Sequence, residues 1–98
     1  MAYQLIWSPQ AIDDIHAIAE FIARDSLFYA ESVVAKMFDA AQPLLQFPQM
    51  GRIVPEIGEE RIRELFVYQY RLIYEIQDTT INVLTVIHGK RLLDEQTL

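Results

Sequence analysis

The chain has 98 residues, of which 52 % are hydrophobic and 22 % charged, a composition that suits one globular domain over residues 1–98 and excludes a disordered chain. It contains no cysteine, which excludes disulfides, thiolate metal sites and cysteine catalysis. The net charge of −6 argues against non-specific binding of nucleic acid, which requires a basic surface, although most of the basic residues lie at position 52 or beyond.

The first half of the sequence predicts a strand and a pair of helices. Residues 3–7, YQLIW, have the short apolar and aromatic pattern of a strand. Ser8, followed by proline, favours a helix N-terminus, and apolar residues at helical spacing extend that helix to about Asp25. Ser26 can cap a second helix, which Pro43 should end or kink. The short connection between the helices predicts an antiparallel helical hairpin.

The second half of the sequence predicts strands. Residues 47–58 contain two prolines and two glycines, which indicates an irregular segment. Three strand-like runs follow at residues 61–67, 70–77 and 80–87, with short turns between them. The element order is therefore strand, helix, helix, strand, strand, strand. This order predicts an α+β domain in which the helical hairpin packs on one face of a mostly antiparallel sheet.

One of the predicted strands carries an arginine among apolar residues. Successive strand residues point to opposite faces, so Tyr70, Leu72 and Tyr74 should face the helices while Arg71 and Glu75 face away. An antiparallel sheet can leave one face in water. We therefore expect Arg71 to be solvated rather than buried. For residues 61–67 the alternation does not settle which face lies inside.

Three stretches of the sequence form a recognisable series. They are Leu5-Ile6-Trp7-Ser8 with Ala11, Asp14 and Ile18; Phe47-Pro48 with Gly51-Arg52 and Val54-Pro55-Glu56; and Arg63-Glu64-Leu65, Tyr70-Arg71-Leu72-Ile73-Tyr74 and Val86-Ile87-His88-Gly89-Lys90-Arg91. In this order, and over nearly the whole chain, they resemble the RelE/ParE superfamily of toxins from bacterial type II toxin–antitoxin systems, the ParE branch most closely. The resemblance implies a small cytoplasmic protein of a plasmid-stabilisation-like system that stops growth and is held inactive by an antitoxin from the same operon.

The resemblance leaves two activities to be separated. RelE-like members cut messenger RNA inside the ribosome, whereas ParE-like members are non-hydrolytic and poison DNA gyrase. For RNA cleavage, Glu56 could supply the base, His88 the acid, and Arg63 with Arg71 a cationic clamp on the phosphate. The acidic chain and the position of His88 before Gly89 favour the ParE-like activity. We therefore interpret the chain as a non-enzymatic toxin that contacts DNA gyrase. The alternatives are a ribosome-dependent endoribonuclease and a non-toxic, antitoxin-binding remnant.

The candidate residues for binding antitoxin or target are cationic or titratable side chains of the second half: Arg61, Arg63, Arg71, His88, Lys90 and Arg91. We expect Arg63 and Arg71 to meet antitoxin carboxylates from the open sheet face, so that replacing both with alanine leaves the fold intact. A disordered antitoxin segment could bind as a helix in a groove between the hairpin and the sheet, or add a strand to a sheet edge. We expect no metal, cofactor, small-molecule substrate or membrane partner, because the two histidines lie far apart and no apolar run approaches membrane-spanning length. The N-terminus lacks a signal-peptide pattern, which also predicts a cytoplasmic protein.

Overall fold

A computed structural model describes residues 3–93 and shows five strands and two α-helices over that range. The elements are β1 Gln4–Trp7, α1 Pro9–Ala23, α2 Leu27–Ala41, β2 Arg52–Ile53, β3 Ile62–Val67, β4 Tyr70–Ile76 and β5 Thr80–His88. Single turns of 3-10 helix lie at Gln42–Leu45 and Pro48–Met50. The order agrees with the prediction, except that the short strand β2 and the two 3-10 turns were not predicted. Neither α-helix in this part of the chain is long and apolar enough to cross a membrane.

The strands form one sheet in the order β1-β5-β4-β3-β2. β1 runs parallel to β5, and every other pair of neighbours in the sheet is antiparallel. The register between β4 and β5 shifts at Ile73 and Tyr74. Both helices pack on one face of the sheet. The predicted α+β fold, a helical hairpin on a mostly antiparallel sheet, is therefore confirmed.

Serine caps begin both helices, as predicted. The Ser8 hydroxyl accepts a hydrogen bond from the Ala11 N–H at 3.0 Å and donates to the Leu84 carbonyl at 2.8 Å, so the start of α1 is also attached to β5. The Ser26 hydroxyl accepts from the Tyr29 N–H at 3.0 Å. Each cap satisfies one of the N–H groups that the first turn of a helix leaves without an internal partner.

The main core lies between the helices and the sheet. Pro43 ends α2, but the chain continues as a 3-10 turn, so that Leu44 still reaches this core. The largest fully buried side chains of the main core are Tyr74, Met37, Leu44, Leu72, Ile81, Val33 and Val83. They come from α2, the turn after it, β4 and β5, which explains why the hairpin packs against the centre of the sheet.

The opposite face of the sheet is covered along part of its length. Val54, from the loop after β2, and Leu93, at the end of the described chain, pack on Ile62, Ile73 and Ile87 in a second, smaller core. None of these five residues is more than 7 % exposed. The prediction of an open, solvated face is therefore wrong for this region, because the segments before β3 and after β5 fold back over it.

Candidate functional site

Arg71 on β4 is buried, with only 4 % of its surface exposed, so the prediction that it is solvated is wrong. Strand alternation does direct its side chain away from the helices. That face, however, is covered here by the loop containing Glu56 and by the chain after β5. A guanidinium at this depth requires partners for its donors, because an unpaired buried charge is strongly unfavourable.

Two carboxylates hold the Arg71 guanidinium. Its Nε donates to Glu64 Oε1 at 2.7 Å, while its Nη1 and Nη2 donate to the two oxygens of Glu56 at 2.8 and 2.9 Å. Its Nη1 also donates to the Arg91 carbonyl at 2.9 Å. The paired contact with Glu56 is bidentate, the geometry in which guanidinium and carboxylate bind each other most strongly.

The ion pairs extend on both sides of Arg71. Glu64 on β3 has a fully buried side chain and also accepts a hydrogen bond from Arg52 Nε on β2. Glu56 accepts from the Leu93 N–H at 3.0 Å. We call Arg52, Glu56, Glu64 and Arg71 the Arg71 network. It joins three strands to the loop after β2 and to the chain after β5.

The hydrogen bonds between Glu56 and Arg71 keep both groups charged at neutral pH. The hydrogen bond from Arg71 lowers the pKa of Glu56 from 4.5 to about 2; burial opposes this effect, and the Leu93 N–H assists it. The hydrogen bond to Glu56 in turn raises the pKa of Arg71, and Glu64 adds to the increase. A carboxylate whose pKa is about 2 has little affinity for a proton at neutral pH, so Glu56 is a poor general base.

Arg63 lies on the helix-facing side of the sheet, so the prediction that it shares an open face with Arg71 is wrong. It stands opposite Tyr74, a residue of the main core. Its Nε donates to the carbonyl of Glu60 at 2.8 Å, and its Nη1 donates to those of Gln49 and Gly51 at 3.2 and 3.0 Å. Arg63 therefore fixes the loop that leads into β2.

The same loop is fixed a second time by Tyr74. Its hydroxyl donates to the Pro48 carbonyl at 2.6 Å and accepts from the Gly51 N–H at 3.0 Å. Burial raises the pKa of Tyr74, so the hydroxyl keeps the proton that it donates. A Cβ atom at Gly51 would lie 2.5 Å from the Glu64 carbonyl oxygen and 2.7 Å from Tyr74 Oη, so this close approach requires glycine.

His88 lies exposed at the end of β5, on the helix-facing side. It stands opposite Tyr70, with the two rings edge to face at 6.0 Å between centroids. Its Nδ1 accepts from the Lys90 N–H at 3.2 Å. Together with Phe21 and Arg91, it lines a shallow groove between α1 and the end of β5.

The four candidate nuclease residues do not converge on one site. Glu56 and Arg71 lie on one face of the sheet, whereas Arg63 and His88 lie on the other. The cross-strand partners of Arg63 and His88 on β4 are four residues apart, which is about 13 Å at roughly 3.3 Å per strand residue. No single phosphate can contact all four side chains in this arrangement.

The remaining candidates are exposed cations. Arg61 is 63 % exposed in its side chain and lies 3.3 Å from Glu75. Lys90 and Arg91 follow β5 and are exposed, although the backbone of Arg91 takes part in the Arg71 network. Within residues 3–93, no three histidine, aspartate or glutamate side chains are placed to hold a metal ion.

The two helices form a groove between them that was not predicted from the sequence. This apolar groove has a volume of about 460 Å³. Its lining residues are Ala19, Glu20, Ala23, Leu27, Ala30, Glu31, Val34 and Ala35. Small side chains make the floor, and the two glutamates lie at the rim. The sequence signal was the series of alanines at positions 19, 23, 30 and 35, which continues the apolar stripes of both helices.

The fold matches those of toxins from toxin–antitoxin systems. A chain of the chromosomal ParDE system from P. aeruginosa superposes with a TM-score of 0.75 at 19 % identity, covering 90 % of this chain and 97 % of that one. A mutant of the E. coli toxin RelE in the free state gives a TM-score of 0.67 at 18 % identity, covering 92 % and 86 %. These similarities define a RelE/ParE-like toxin fold.

Sequence comparison narrows this class to a family. The family described as ParE toxin of type II toxin–antitoxin system, parDE, matches residues 5–93. Toxin RelE2 of Caulobacter vibrioides is 28 % identical over 90 residues, which make up 91 % of this chain and 98 % of that toxin. A chain of the toxin–antitoxin complex RelBE2 from Mycobacterium tuberculosis is 25 % identical with a TM-score of 0.58, covering 90 % of this chain and 99 % of that one. This chain belongs to the ParE toxin family, which confirms the resemblance seen in the sequence.

Proposed function

We propose that this toxin stops growth by binding proteins and not by cutting RNA: an antitoxin neutralises it, and DNA gyrase is its target. The observation that carries the proposal is the Arg71 network. Arg71 and Glu56, which a nuclease would use as clamp and base, are bound to each other by two hydrogen bonds of 2.8 and 2.9 Å.

The chemistry of RNA cleavage explains why this observation matters. Attack by a 2′-hydroxyl needs a base with useful proton affinity, an acid for the leaving oxygen and cations at the phosphate, all within hydrogen-bond reach of one another. Glu56 is held as an ion with a pKa of about 2. Arg71 has its donors directed to carboxylates, and His88 lies on the other face of the sheet. A phosphate would have to displace Glu56 or Glu64 before it reached the guanidinium.

Membership of the ParE toxin family also supports a toxin that does not cut RNA. The match to ParE toxins extends over residues 5–93, and the resemblance to ParE-like toxins implies a non-hydrolytic action on DNA gyrase. The observation that favours the alternative, a ribosome-dependent endoribonuclease, is the 28 % identity with toxin RelE2. On either alternative the protein acts in the cytoplasm, as expected from the sequence.

The proposed antitoxin site is the apolar groove between α1 and α2. Its floor of small side chains allows a partner helix to approach closely, and burial of its apolar surface would drive binding. Glu20 and Glu31 at the rim favour a helix whose apolar stripe is flanked by basic residues. The solved complex of the related RelBE2 toxin with its antitoxin supports the expectation of a cognate antitoxin for this chain.

The test is induction of the toxin in a bacterial host with and without the neighbouring antitoxin gene. We expect growth to stop only when the toxin is expressed alone, a DNA-damage reporter to respond, and messenger RNA to stay intact in primer extension. His88→Ala should keep its toxicity, whereas loss of a catalytic acid would reduce activity by roughly 10²–10⁴-fold.

Two results would contradict the proposal. Codon-phased cuts in messenger RNA that disappear in His88→Ala would establish the endoribonuclease. Normal growth with soluble, folded toxin would leave the antitoxin-binding remnant as the better description.

A further inference from the structure

A second groove lies between α1 and the end of β5 and has a volume of about 360 Å³. Ala17, Ile18 and Phe21 of α1 line it, whereas Ala19 and Ala23 line the groove proposed for the antitoxin. At about 100° per residue of an α-helix, these two sets point to opposite sides of α1. The helix therefore separates the two grooves, and we call the second one the β5 groove.

Contacts within the fold hold the two walls of the β5 groove together. Asp14 on α1 accepts a hydrogen bond from the Val86 N–H of β5 at 3.1 Å and another from the Thr85 hydroxyl. On the sheet side, the ring of His88 stands edge to face against that of Tyr70, and both residues line the groove. Walls that are fixed before binding lose little conformational entropy when a partner enters, so a groove of this kind binds efficiently.

Three of the four residues that α1 contributes to the β5 groove are apolar. One of them, Phe21, is 62 % exposed and belongs to neither core. The Arg24 guanidinium lies over its ring at 5.9 Å from the centroid. Ala17, one turn earlier on the same side of α1, is also exposed, and its small side chain leaves the groove open. An exposed ring beside an open groove marks a surface that can receive an apolar side chain of a partner.

The charged side chains that line the β5 groove lie at different points along β5. Asp14 is bound beside Val86, whereas Arg91 follows the end of the strand, five residues later. Asp14 already accepts hydrogen bonds from Thr85, Val86 and Gln10, so its carboxylate is satisfied within the fold. The side chain of Arg91 is exposed and forms no ion pair with a carboxylate of residues 3–93. The group that the groove offers to an ionic partner is therefore the Arg91 guanidinium.

The backbone that carries Arg91 is fixed at the end of β5. Its carbonyl accepts from Arg71 Nη1 at 2.9 Å, and its N–H donates to the His88 carbonyl at 3.0 Å. The Gly89 N–H donates to the Gln69 carbonyl at 2.7 Å, which attaches this segment to the turn between β3 and β4. The Arg71 network thus positions an exposed cation at the edge of the β5 groove, although the network itself lies on the other face of the sheet.

We infer that the β5 groove is the surface with which the toxin contacts its protein target, and that the target inserts an apolar side chain next to a carboxylate. The apolar side chain packs against Phe21, and the carboxylate pairs with Arg91. The groove proposed for the antitoxin has the opposite preference, because Glu20 and Glu31 at its rim favour a helix with basic flanks. One antitoxin helix cannot fill both grooves, because α1 stands between them. The inference rests on the proposed function and specifies the surface involved.

The experiment compares two variants of the full chain, each with a tryptophan introduced on a helix. Ala17→Trp places its ring in the β5 groove. Ser32→Trp is the matched control, because Ser32 is partly exposed on α2 and lines neither groove. Each variant is assayed for growth arrest on induction, inhibition of purified DNA gyrase in a supercoiling assay, co-purification with the antitoxin, and melting temperature.

Ala17→Trp is expected to need at least about 30-fold more protein than the wild type to inhibit gyrase, the effect of losing one interface hot spot. It should still co-purify with the antitoxin and melt within about 5 °C of the wild type, because the new ring stands on an exposed helical position. Ser32→Trp should match the wild type in every assay. His88→Ala leaves Phe21 and Arg91 in place and should keep its toxicity.

A second pair of variants tests the ionic contact. Arg91→Ala keeps the backbone carbonyl that Arg71 binds, so the Arg71 network stays intact. It is expected to need about fivefold more protein to inhibit gyrase at low salt and to approach the wild type at high salt, because salt screens an exposed ion pair. Lys36→Ala removes an exposed cation outside both grooves and should match the wild type under both conditions.

Three results would overturn the inference. The first is full growth arrest and gyrase inhibition by the folded Ala17→Trp protein. The second is loss of antitoxin binding in Ala17→Trp, which would make the β5 groove an antitoxin surface. The third is a wild-type dimer in sedimentation velocity that Ala17→Trp dissociates, which would make the groove a contact between copies of this chain.

Failure of the proposed function gives a different result. A wild-type protein that neither stops growth nor inhibits gyrase would overturn the proposed function and this inference with it, whatever the variants do. A wild-type protein that stops growth without inhibiting gyrase would overturn only the choice of gyrase, because the comparison of growth arrest between Ala17→Trp and Ser32→Trp does not depend on which protein is the target.

Discussion

Replacing Arg71 with alanine is expected to lower the free energy of unfolding by about 3–5 kcal/mol. This reverses the expectation from the sequence that replacing the residue leaves the fold intact. The substitution deletes all four hydrogen bonds that the guanidinium donates, two to Glu56, one to Glu64 and one to the Arg91 carbonyl. It also removes the hydrogen bonds that attach the Glu56 loop and the chain after β5 to β4, and leaves these segments held by the packing of the second core.

The magnitude comes from the carboxylates left behind. Glu64, whose side chain is 0 % exposed, would retain only Arg52 as its ionic partner among the described residues. Leaving a buried charge without its partner is more damaging than removing the pair, because the desolvation of that charge is no longer offset. A domain of this size has a total stability of about 5–15 kcal/mol, so the loss amounts to about a fifth of it or more. The melting temperature should fall by about 20 °C.

Urea unfolding at pH 7, followed by circular dichroism, measures the effect. Arg61→Ala is the control, because Arg61 is also paired with a carboxylate but is 63 % exposed, and it should change stability by less than about 0.5 kcal/mol. Replacing Arg71 with methionine and Glu64 with leucine together should recover part of the loss, since no uncompensated Glu64 charge remains. A loss below about 1 kcal/mol for Arg71→Ala would refute the reasoning.

Two further predictions concern the same region. The pKa of Glu56 is about 2 in the folded chain, compared with 4.5 when the chain is unfolded. The ionised carboxylate therefore stabilises the fold by at most about 3 kcal/mol, an effect that is fully present above pH 4.5. This stabilisation is lost as the pH falls from 4.5 to 2. Unfolding measured between pH 7 and pH 2 should show this decline in the wild type and a flatter profile in Glu56→Gln, and equal profiles would contradict the assignment. Gly51→Ala should destabilise the fold by about 3 kcal/mol in urea unfolding, because its Cβ would lie 2.5 Å from the Glu64 carbonyl oxygen and 2.7 Å from Tyr74 Oη. A Gly51→Ala protein as stable as the wild type would show that this loop can move.

Local signals in the sequence were sufficient for most of the fold. Ser8 and Ser26 each supply a side-chain oxygen to the N-terminus of a helix, a contact that depends only on the next few residues. The helical and strand periodicities placed six of the seven α-helices and strands within a few residues of their observed ends, and the seventh is the unpredicted β2. β2 has only two residues and follows a segment rich in proline and glycine, so it has no periodicity of its own.

The burial of Arg71 and the sheet face of Arg63 could not be predicted from local sequence patterns. Alternation along β4 gave the correct face for Arg71, but its burial depends on Glu56, 15 residues away, and on the chain after β5. The position of Arg63 was open in the sequence because residues 61–67 alternate polar and apolar side chains on both faces. A buried ion pair and a catalytic pair use the same residue types. The sequence therefore predicts Glu56 and Arg71 as candidate site residues, but it does not show that their side chains bind each other.

The pairing of β1 with β5 has a consequence for how the toxin is made. Ser8 and Leu84 are 76 residues apart in the chain but joined by a hydrogen bond, and β5 lies between β1 and β4 in the sheet. A nascent chain emerges from the ribosome N-terminus first, so β1 and β4 remain without their common neighbour until residues 80–88 have been released. Contacts between such distant parts of a chain also form slowly. The partly synthesised protein therefore has neither a complete sheet nor the attachment of Gln69 to Gly89, and each molecule completes its fold only after this late step.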